Sequence, residues 1–500
     1  MSSEVFECTL DILPDEAIGR DKKLGDLVFT DSLGRSTTAD LENDPLTELT
    51  IKRLSYWVGN SSFQNEDLRL LGHYLFNLLF HSEIRKELER SYYDVFRDRE
   101  QNADFRKWSR FRLVLKFHPR AKTDLVSYPW EFLFMPKRGS QDEGVFLACE
   151  HTELILTRFV PPRTPGSDTL QKVGRDEKLC ILLAYCQPSD LPTIDGDPID
   201  GNEVIAKIKT HIKSAENIRI EDVMNPTFDE LQEAIKLHKP HIFHFVGHGK
   251  DGGIYVMMTA QEIKEHHDLF SEQKESKWIG PKTVGALFVA PKPQLVFLES
   301  CEGAKSRAGS MSNAALELID SGISAVVAMQ FEIQNGEALR FSSKFYSLIS
   351  AGIPIDEAVA EGRRVLATNP EHRDDALGWN DRRFGTPVLY LQTKNAIIVE
   401  AKPHDCCPQC SDAVDPAKSF CPNCGCRIGA CGKCKALISL AKGECKSCGH
   451  RLDSQGAVAE VGAGSAPSVA PADARVGLQS PAPTSTVNRS VNLRPTVLEP

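Results

Sequence analysis

Cys301 is the residue whose surroundings most strongly suggest covalent chemistry. It follows a short apolar, β-prone run in residues 296–304, which read VFLESCEGA. A cysteine at the polar end of a buried strand is either a small core residue or a nucleophile presented at the edge of a sheet. Because an unperturbed thiol has a pKa of roughly 8.5, a nucleophilic Cys301 would need a base that removes its proton.

His248 is the best candidate for that base among the 14 histidines. Residues 241–250 read HIFHFVGHGK, so an apolar strand is followed by His248 between Gly247 and Gly249. An imidazole can take the proton of a nearby thiol, and the two glycines would let the backbone approach a substrate closely. The alternative for His248 is a hydrogen-bonded turn or surface residue, and His244 is expected to be a packed sheet residue.

The segments around these residues predict an α/β fold. Apolar strands are expected at 179–185, 217–223, 241–247, 293–299 and 323–329. Amphipathic helices are expected at 201–212, 228–238, 313–320, 335–350 and 355–367, the second of them opened by a capping box of Thr227 and Glu230. This alternation predicts a mainly parallel sheet with helices on both faces. Ligands bind beyond the carboxyl ends of such strands, where His248 and Cys301 are expected, each just past its strand.

The rest of the chain divides by composition. The first 109 residues begin with a strand-like segment, VFECTLDIL, followed by helical stretches at 46–58 and 65–90. Three strand-like segments, FRLVLKF, YPWEFLF and TELILTRF, follow, and the proline-rich loop 160–168 suggests a seam. We predict an α+β N-terminal half (1–165), a domain of alternating strands and helices that carries His248 and Cys301 (166–400), a cysteine-rich unit (404–452) and a tail (453–500). The tail is rich in Ala, Pro, Ser and Val without aromatic residues, which predicts disorder.

The overall composition excludes several classes of protein. Hydrophobic residues make up 41% and charged residues 26%, as in ordinary globular chains. The net charge of −10 argues against nucleic-acid binding over the whole protein surface, because such binding needs a basic face. The N-terminus has no secretion signal, and no stretch approaches the roughly 18 apolar residues of a membrane span. We therefore expect a soluble, cytoplasmic protein without a membrane partner.

The cysteines predict a metal-binding unit. Five of the 15 are scattered, and the other ten lie between Cys406 and Cys448. Eight of these ten form Cys-x2-Cys pairs with ten residues between partner pairs: Cys407, Cys410, Cys421 and Cys424, then Cys431, Cys434, Cys445 and Cys448. Four thiolates close a tetrahedral Zn²⁺ site, so we expect two structural zinc ions in a double zinc ribbon. Disulfides and iron–sulfur clusters are the alternatives, and Cys406 and Cys426 are expected to be spare.

The charge of the cysteine-rich unit leaves its partner open. Residues 404–452 carry seven basic and four acidic side chains, so the unit is mildly basic. A regulatory protein or ligand is the expected partner, and nucleic acid is a weaker alternative.

Several motifs together resemble the CHAT group of caspase-like cysteine peptidases, which is related to separase. A strand that ends in His-Gly, followed along the chain by a strand that ends in x-Cys, resembles the arrangement in that group. Residues 111–134, which contain Pro-Trp-Glu, resemble the opening segment of CHAT domains. Residues 322–366 resemble their closing strand and two helices, and 384–392 their last strand. The similarity covers roughly residues 110–393, and it implies that 166–400 is a caspase-like catalytic domain.

The resemblance implies roles for individual residues. His248 would be the general base and then the acid for the leaving group, and Cys301 the nucleophile. The backbone N–H groups of Cys301 and Gly249 would stabilise the oxyanion. The family further implies a regulated bacterial protease that cleaves one partner protein, with a role in antiphage defence. The alternative is a catalytically silent scaffold that uses the ribbon for recognition.

The chain departs from the family pattern at Glu299, where many CHAT sequences have a small residue. In related caspase-like enzymes this position, two before the cysteine, lines the S1 pocket, and an acid there accompanies a basic P1 residue. A carboxylate can pair a guanidinium bidentately. The alternative is that Glu299 caps a helix or faces solvent. The loop 189–203 offers further acids: Asp190, Asp195, Asp197 and Asp200. Calcium binding there is a weak alternative, since the spacing matches no EF-hand loop.

Overall fold

The structure is a computed structural model of the 500-residue chain. It describes residues 4–14, 23–42, 44–59, 65–96, 108–118, 123–137, 143–149, 153–162, 170, 172–174, 177–191, 201–212, 218–250, 253–271, 273–288, 292–302, 310–331, 333–368, 382–394, 396–400, 407, 414, 419–421, 424–431 and 437–440. The tail predicted at 453–500 lies outside these residues.

The N-terminal half contains seven strands and four helices among the described residues. They are β1 (Glu4–Pro14), β2 (Lys23–Asp31), β3 (Ser36–Glu42), α1 (Pro45–Gly59), α2 (Asn65–Leu79), α3 (Ser82–Phe96), β4 (Trp108–Phe117), α4 (Thr123–Ser127), β5 (Phe134–Pro136), β6 (Gly144–Phe146) and β7 (Leu154–Phe159). Alternate residues of β1 are buried, which gives the strand one core face. Strands β2 and β3 were not predicted.

Two predictions for this half are wrong. The helix expected over 65–90 is two helices, because the chain breaks after Leu79 and Ser82 adopts a left-handed φ of 52°. The strand expected at YPWEFLF is a 3₁₀ turn, Trp130–Phe132, followed by β5. The Trp130 indole N–H donates to the carbonyl of Leu125 at 2.7 Å, which fixes this turn against α4.

The second half has the predicted alternation. Its elements are β8 (Leu179–Cys186), α5 (Gly201–Ile212), β9 (Ile218–Met224), α6 (Phe228–His238), β10 (Ile242–Lys250), β11 (Gly253–Met257), α7 (Ala260–Phe270), β12 (Ser276–Ile279), α8 (Pro281–Ala286), β13 (Leu295–Glu302), α9 (Ser310–Asp320), β14 (Ala325–Met329), α10 (Asn335–Ser350), α11 (Ile355–Ala367) and β15 (Pro387–Leu391). The predicted capping box of Thr227 and Glu230 opens α6. The segment from β11 to α8 was not predicted.

A single sheet of 13 strands runs through both halves of the described chain. Its order is β12-β11-β10-β13-β14-β15-β7-β4-β1-β2-β3, and β8 pairs with both β10 and β9. The strands from β9 through β8, β10 and β13 to β14 are parallel, as are β15, β7, β4 and β1. The predicted α/β class with a mainly parallel sheet is therefore confirmed. The boundary at residue 165 stays a prediction.

Helices cover both faces of this sheet. Strands β8, β14 and β15 are buried along their whole length, as expected for parallel strands packed on two sides. One core includes residues of α2, α3 and α9, and the other includes residues of α5, α10 and α11. None of the described helices is both long enough and apolar enough to cross a bilayer.

A buried ion network joins the two halves. The carboxylate of Glu131, in the Pro-Trp-Glu segment, pairs with Arg158 of β7 and accepts from Arg363 of α11 at 3.1 Å. All three side chains are about 1% exposed. Gln330 also donates to Glu131 at 2.9 Å, and Arg158 donates to the Tyr390 hydroxyl at 3.0 Å. Segments far apart in the chain therefore share one buried carboxylate.

Candidate active site and metal centre

His248 and Cys301 are direct neighbours in the sheet. Strands β10 and β13 are parallel and in register, and His248 is the register partner of Cys301. Neighbouring strands lie about 4.8 Å apart, so the two backbones are close. The side chain of Cys301 lies outside the described part of the structure. The contact between thiol and imidazole, and the oxyanion role of the Cys301 and Gly249 N–H groups, stay predictions.

The two residues lie inside their strands rather than just past them, which corrects the expected strand ends. Strand β10 continues to Lys250 and β13 to Glu302. The extension follows from the unpredicted strand β11, which pairs with the end of β10 through Gly249 and Ile254. The added ladder keeps the end of β10 extended.

The sheet divides beside His248. Up to Gly247, strand β10 pairs with β8, whereas from Gly249 it pairs with β11 on the same side. Strand β8 ends at Cys186, so the chain leaves the sheet at this point. Ligands of α/β sheets usually bind beyond the carboxyl ends of the strands, and His248 lies at such an end, where β8 stops pairing with β10.

A side chain at either of the two glycines that flank His248 would crowd a neighbouring strand. A Cβ atom on Gly247 would lie 2.5 Å from the carbonyl oxygen of Cys186, and one on Gly249 would lie 3.0 Å from Oγ of Ser300. These two contacts are with the adjacent strands β8 and β13. Close approach of a substrate backbone, for which the sequence analysis invoked them, stays a prediction.

Gln187 contacts the imidazole and was missed by the sequence analysis. Its side-chain amide nitrogen lies 3.0 Å from Nε2 of His248. Its backbone N–H donates to Oδ1 of Asn225 at 2.9 Å, which holds the residue at the end of β8. In a neutral imidazole only one nitrogen carries the proton, so the group that engages Nε2 helps to decide which nitrogen is basic. The sequence feature that could have identified Gln187 is its position directly after an apolar strand.

Replacing Gln187 with Met should lower kcat of peptide cleavage by about tenfold or less, with little change in KM. The substitution keeps the length of the side chain and removes a hydrogen bond that contributes roughly 1 kcal/mol to holding the imidazole. The matched control is Gln392→Met, which removes a buried amide that donates to the carbonyl of Ile319 at 3.2 Å. An equal loss of kcat in both variants would contradict an orienting role for Gln187.

Glu299 is buried and held by other polar side chains. It is 7% exposed, and its Oε2 lies 3.1 Å from Nε2 of His244. The other ring nitrogen of His244, Nδ1, lies 3.0 Å from the hydroxyl of Tyr346 on α10. The expectation that His244 is a packed sheet residue agrees with its complete burial. The S1 role of Glu299 stays a prediction.

Asp190 contacts strand β12. Its Oδ2 accepts from the hydroxyl of Ser276 at 2.6 Å and from the Ser276 backbone N–H at 3.2 Å. Ser189 also donates to Glu275, the residue before β12, at 2.7 Å. The segment after β8 is therefore attached to the start of β12. The role of Asp190 as a second S1 candidate stays a prediction. The acids at 195, 197 and 200 lie outside the described residues.

Three of the predicted zinc ligands converge. The Sγ atoms of Cys407, Cys421 and Cys424 all lie within 4.8 Å of one another, and those of Cys407 and Cys424 are 3.6 Å apart. Tetrahedral Zn–S bonds of about 2.3 Å separate two sulfurs by about 3.8 Å, so the three thiols fit a zinc site. The fourth predicted ligand, Cys410, lies outside the described residues.

The surroundings of this cluster agree with a small metal-supported unit. Strands β16 (Ile428–Ala430) and β17 (Leu437–Ser439) form a hairpin beside it. Cys426, expected to be spare, contacts the hydroxyl of Ser439 at 3.2 Å. Of the second predicted quartet, Cys431 is buried. Its other three members, Cys434, Cys445 and Cys448, lie outside the described residues, so the second ion stays a prediction.

Purified protein should contain two zinc ions per chain by elemental analysis, and Cys421→Ser should reduce this to one. Loss of one thiolate from a four-sulfur site weakens binding strongly. The matched control is Cys426→Ser, another buried cysteine of the same hairpin region, which should keep both ions. A zinc content below about one ion in the unmodified chain, or equal losses in the two variants, would contradict the assignment of ligands.

Comparisons with solved structures give distant similarities. The chain matches the Saccharomyces cerevisiae separase–securin complex with a TM-score of 0.39 and 12% identity, over 77% of this chain and 30% of that chain. It matches the Arg-specific cysteine proteinase gingipain R with a TM-score of 0.37 and 11% identity, over 71% and 76% of the two chains. For pro-sf-caspase-1 the TM-score is 0.29 at 12% identity, over 46% and 96%. The chain thus spans less than a third of the separase chain that it matches.

Comparison at the level of sequence gives a clearer result. No curated protein matches the chain. The family model described as the CHAT domain matches residues 69–397, which include strands β4 to β15, His248 and Cys301. The matched range extends over more than half of the 500 residues and agrees with the motifs at 111–134, 322–366 and 384–392. The chain belongs to the CHAT domain family.

Proposed function

We propose that this chain is a regulated cysteine endopeptidase in which Cys301 is the nucleophile and His248 is the base. One observation carries the proposal, namely the register of His248 with Cys301 at the carboxyl ends of β10 and β13. A base must lie within hydrogen-bond reach of the proton that it removes, and the backbones of register partners on neighbouring strands are about 4.8 Å apart, which supports such a contact between the side chains. Membership in the CHAT family supports the proposal.

The proposed reaction proceeds through a thioester. His248 takes the thiol proton, and the thiolate of Cys301 attacks the carbonyl carbon of the scissile peptide bond. The N–H groups of Cys301 and Gly249 donate to the oxyanion. The imidazolium then protonates the leaving amine as the C–N bond breaks. Water, deprotonated by His248, hydrolyses the thioester and regenerates the thiol.

The proposed P1 residue is basic, and Glu299 is its acceptor. This carboxylate is two residues before Cys301 and keeps a small accessible fraction of 7%. A desolvated guanidinium requires an anionic partner, which a buried carboxylate supplies. Asp190 is the secondary candidate, because Ser276 already occupies one of its oxygens.

The proposed substrate is a specific partner protein, and the zinc-binding unit is proposed to recruit or regulate. A regulatory protein or ligand is compatible with its mildly basic composition, and nucleic acid is the weaker alternative. The bacterial setting, the cytoplasmic location and the role in antiphage defence rest on the family resemblance and on composition.

The proposed function is tested by positional-scanning peptide cleavage with the purified chain and its Cys301→Ala variant. Cleavage by the unmodified chain and none by the variant would support an endopeptidase, and the P1 position would report specificity. A chain that cleaves no peptide, and whose Cys301 reacts with iodoacetamide no faster than Cys8 or Cys149, would instead be a catalytically silent scaffold.

A further inference from the structure

Three buried polar side chains form a hydrogen-bonded series on strands β10 and β13 and helix α10, before His248 and Cys301 along their strands. It runs from the Tyr346 hydroxyl to Nδ1 of His244 at 3.0 Å, and from Nε2 of His244 to Glu299 at 3.1 Å. In the sheet, His244 precedes His248 by four residues, and Glu299 precedes Cys301 by two. The apolar core around this hydrogen-bonded series contains Phe297, Phe341 and Phe345.

Packing holds the side chains of this hydrogen-bonded series in place. The imidazole of His244 stacks on the ring of Phe297, with centroids 4.2 Å apart and planes 5° apart. Tyr346 is completely buried on α10. Burial, and then the charge of Glu299, raises the pKa of Tyr346 well above its usual value, so the phenol keeps its proton.

The direction of the hydrogen bonds follows from the chemistry of the three groups. A protonated phenol donates to Nδ1 of His244, which leaves the imidazole proton on Nε2. Nε2–H then donates to the carboxylate of Glu299. A carboxylate that accepts one such bond still has lone pairs for a second donor. Burying three polar groups is costly unless they are paired, and here they are paired end to end.

We infer that Tyr346 and His244 are positioning residues that hold the Glu299 carboxylate ready to bind a cationic side chain of the substrate. The inference deepens the proposed function and rests on its basic P1 residue. Without the phenol, the imidazole has no partner on Nδ1, and the carboxylate is no longer held at one position. The same carboxylate would then bind a guanidinium or amidinium less tightly.

The inference is tested with benzamidine, a small amidinium, and its uncharged isostere benzamide, by titration calorimetry on the full chain. The unmodified chain should bind benzamidine more tightly than benzamide. Glu299→Gln should reduce benzamidine affinity by at least about tenfold, because a hydrogen bond to a charged group is lost. Tyr346→Phe should reduce it by about fivefold, the factor for one ordinary hydrogen bond, with benzamide binding unchanged.

The matched control is Tyr390→Phe. This residue of β15 is also completely buried, and its hydroxyl accepts from Arg158 of β7 at 3.0 Å. It should leave the affinity for both probes unchanged. A second variant, Glu299→Asp, keeps the charge but shortens the side chain away from His244. It should weaken benzamidine binding as Tyr346→Phe does, and it tests the inference if that variant fails to fold.

The outcomes separate this inference from the proposed catalysis. Equal binding of benzamidine and benzamide by the unmodified chain would overturn the inference even if peptides are cleaved. Loss of selectivity in Glu299→Gln without any change in Tyr346→Phe and Glu299→Asp would overturn the positioning role alone. Selective benzamidine binding that depends on Tyr346 would support the inference, even if no peptide is cleaved and the proposed peptidase activity fails.

Discussion

Replacing Cys301 with alanine is expected to lower kcat of peptide cleavage by about a million-fold, and His248→Ala should have a similar effect. The two residues act as one unit in the proposed mechanism, since neither a thiol without its base nor a base without its thiol forms the thioester. The double variant should therefore be no less active than either single variant. Single-turnover cleavage of the best peptide from the scanning library measures all three.

Buried cysteines provide the control for this experiment. Cys186 lies at the end of the neighbouring strand β8, and burial raises the pKa of its thiol to about 12. Burial also raises the pKa of Cys8. Cys186→Ala should therefore keep full activity, and iodoacetamide should modify Cys301 first, more slowly in His248→Ala. Cleavage at the unmodified rate by Cys301→Ala or His248→Ala would refute the assigned dyad.

Replacing Glu131 with glutamine is expected to lower the free energy of unfolding by about 3–5 kcal/mol. The substitution removes the carboxylate that Arg158 and Arg363 share, and both guanidinium groups are almost fully buried. Two buried cations without an anion repel each other and cannot be solvated. Urea denaturation followed by circular dichroism measures the change.

The exposed pair of Glu143 and Lys137 is the matched control. Both side chains are more than 60% exposed, and Glu143→Gln should leave the urea midpoint unchanged. Replacing Glu131, Arg158 and Arg363 together with Leu, Met and Met should restore much of the lost stability, because no buried charge remains. If Glu131→Gln unfolds at the same urea concentration as Glu143→Gln, the network does not stabilise the joined halves.

Local patterns in the sequence determined most elements of the second half. Helices α10 and α11 occupy the predicted ranges, and the box of Thr227 and Glu230 opens α6, because capping and helical periodicity depend on residues within one or two turns. The successive apolar strands of 241–247 and 293–299 do pair, since neighbouring strands of a parallel sheet align their carboxyl ends. The Cys-x2-Cys spacing likewise identified the three thiols that converge.

Only the tertiary structure decided how residues distant in the chain meet. The register of His248 with Cys301, and the extension of β10 by β11, depend on pairing across the sheet. Gln187 lies 61 residues before His248, and Tyr346 lies 102 residues after His244. Glu131 meets Arg363 at a separation of 232 residues. Periodicity and spacing carry no signal for such contacts, because they arise when separate helices and strands pack and bury their polar groups together.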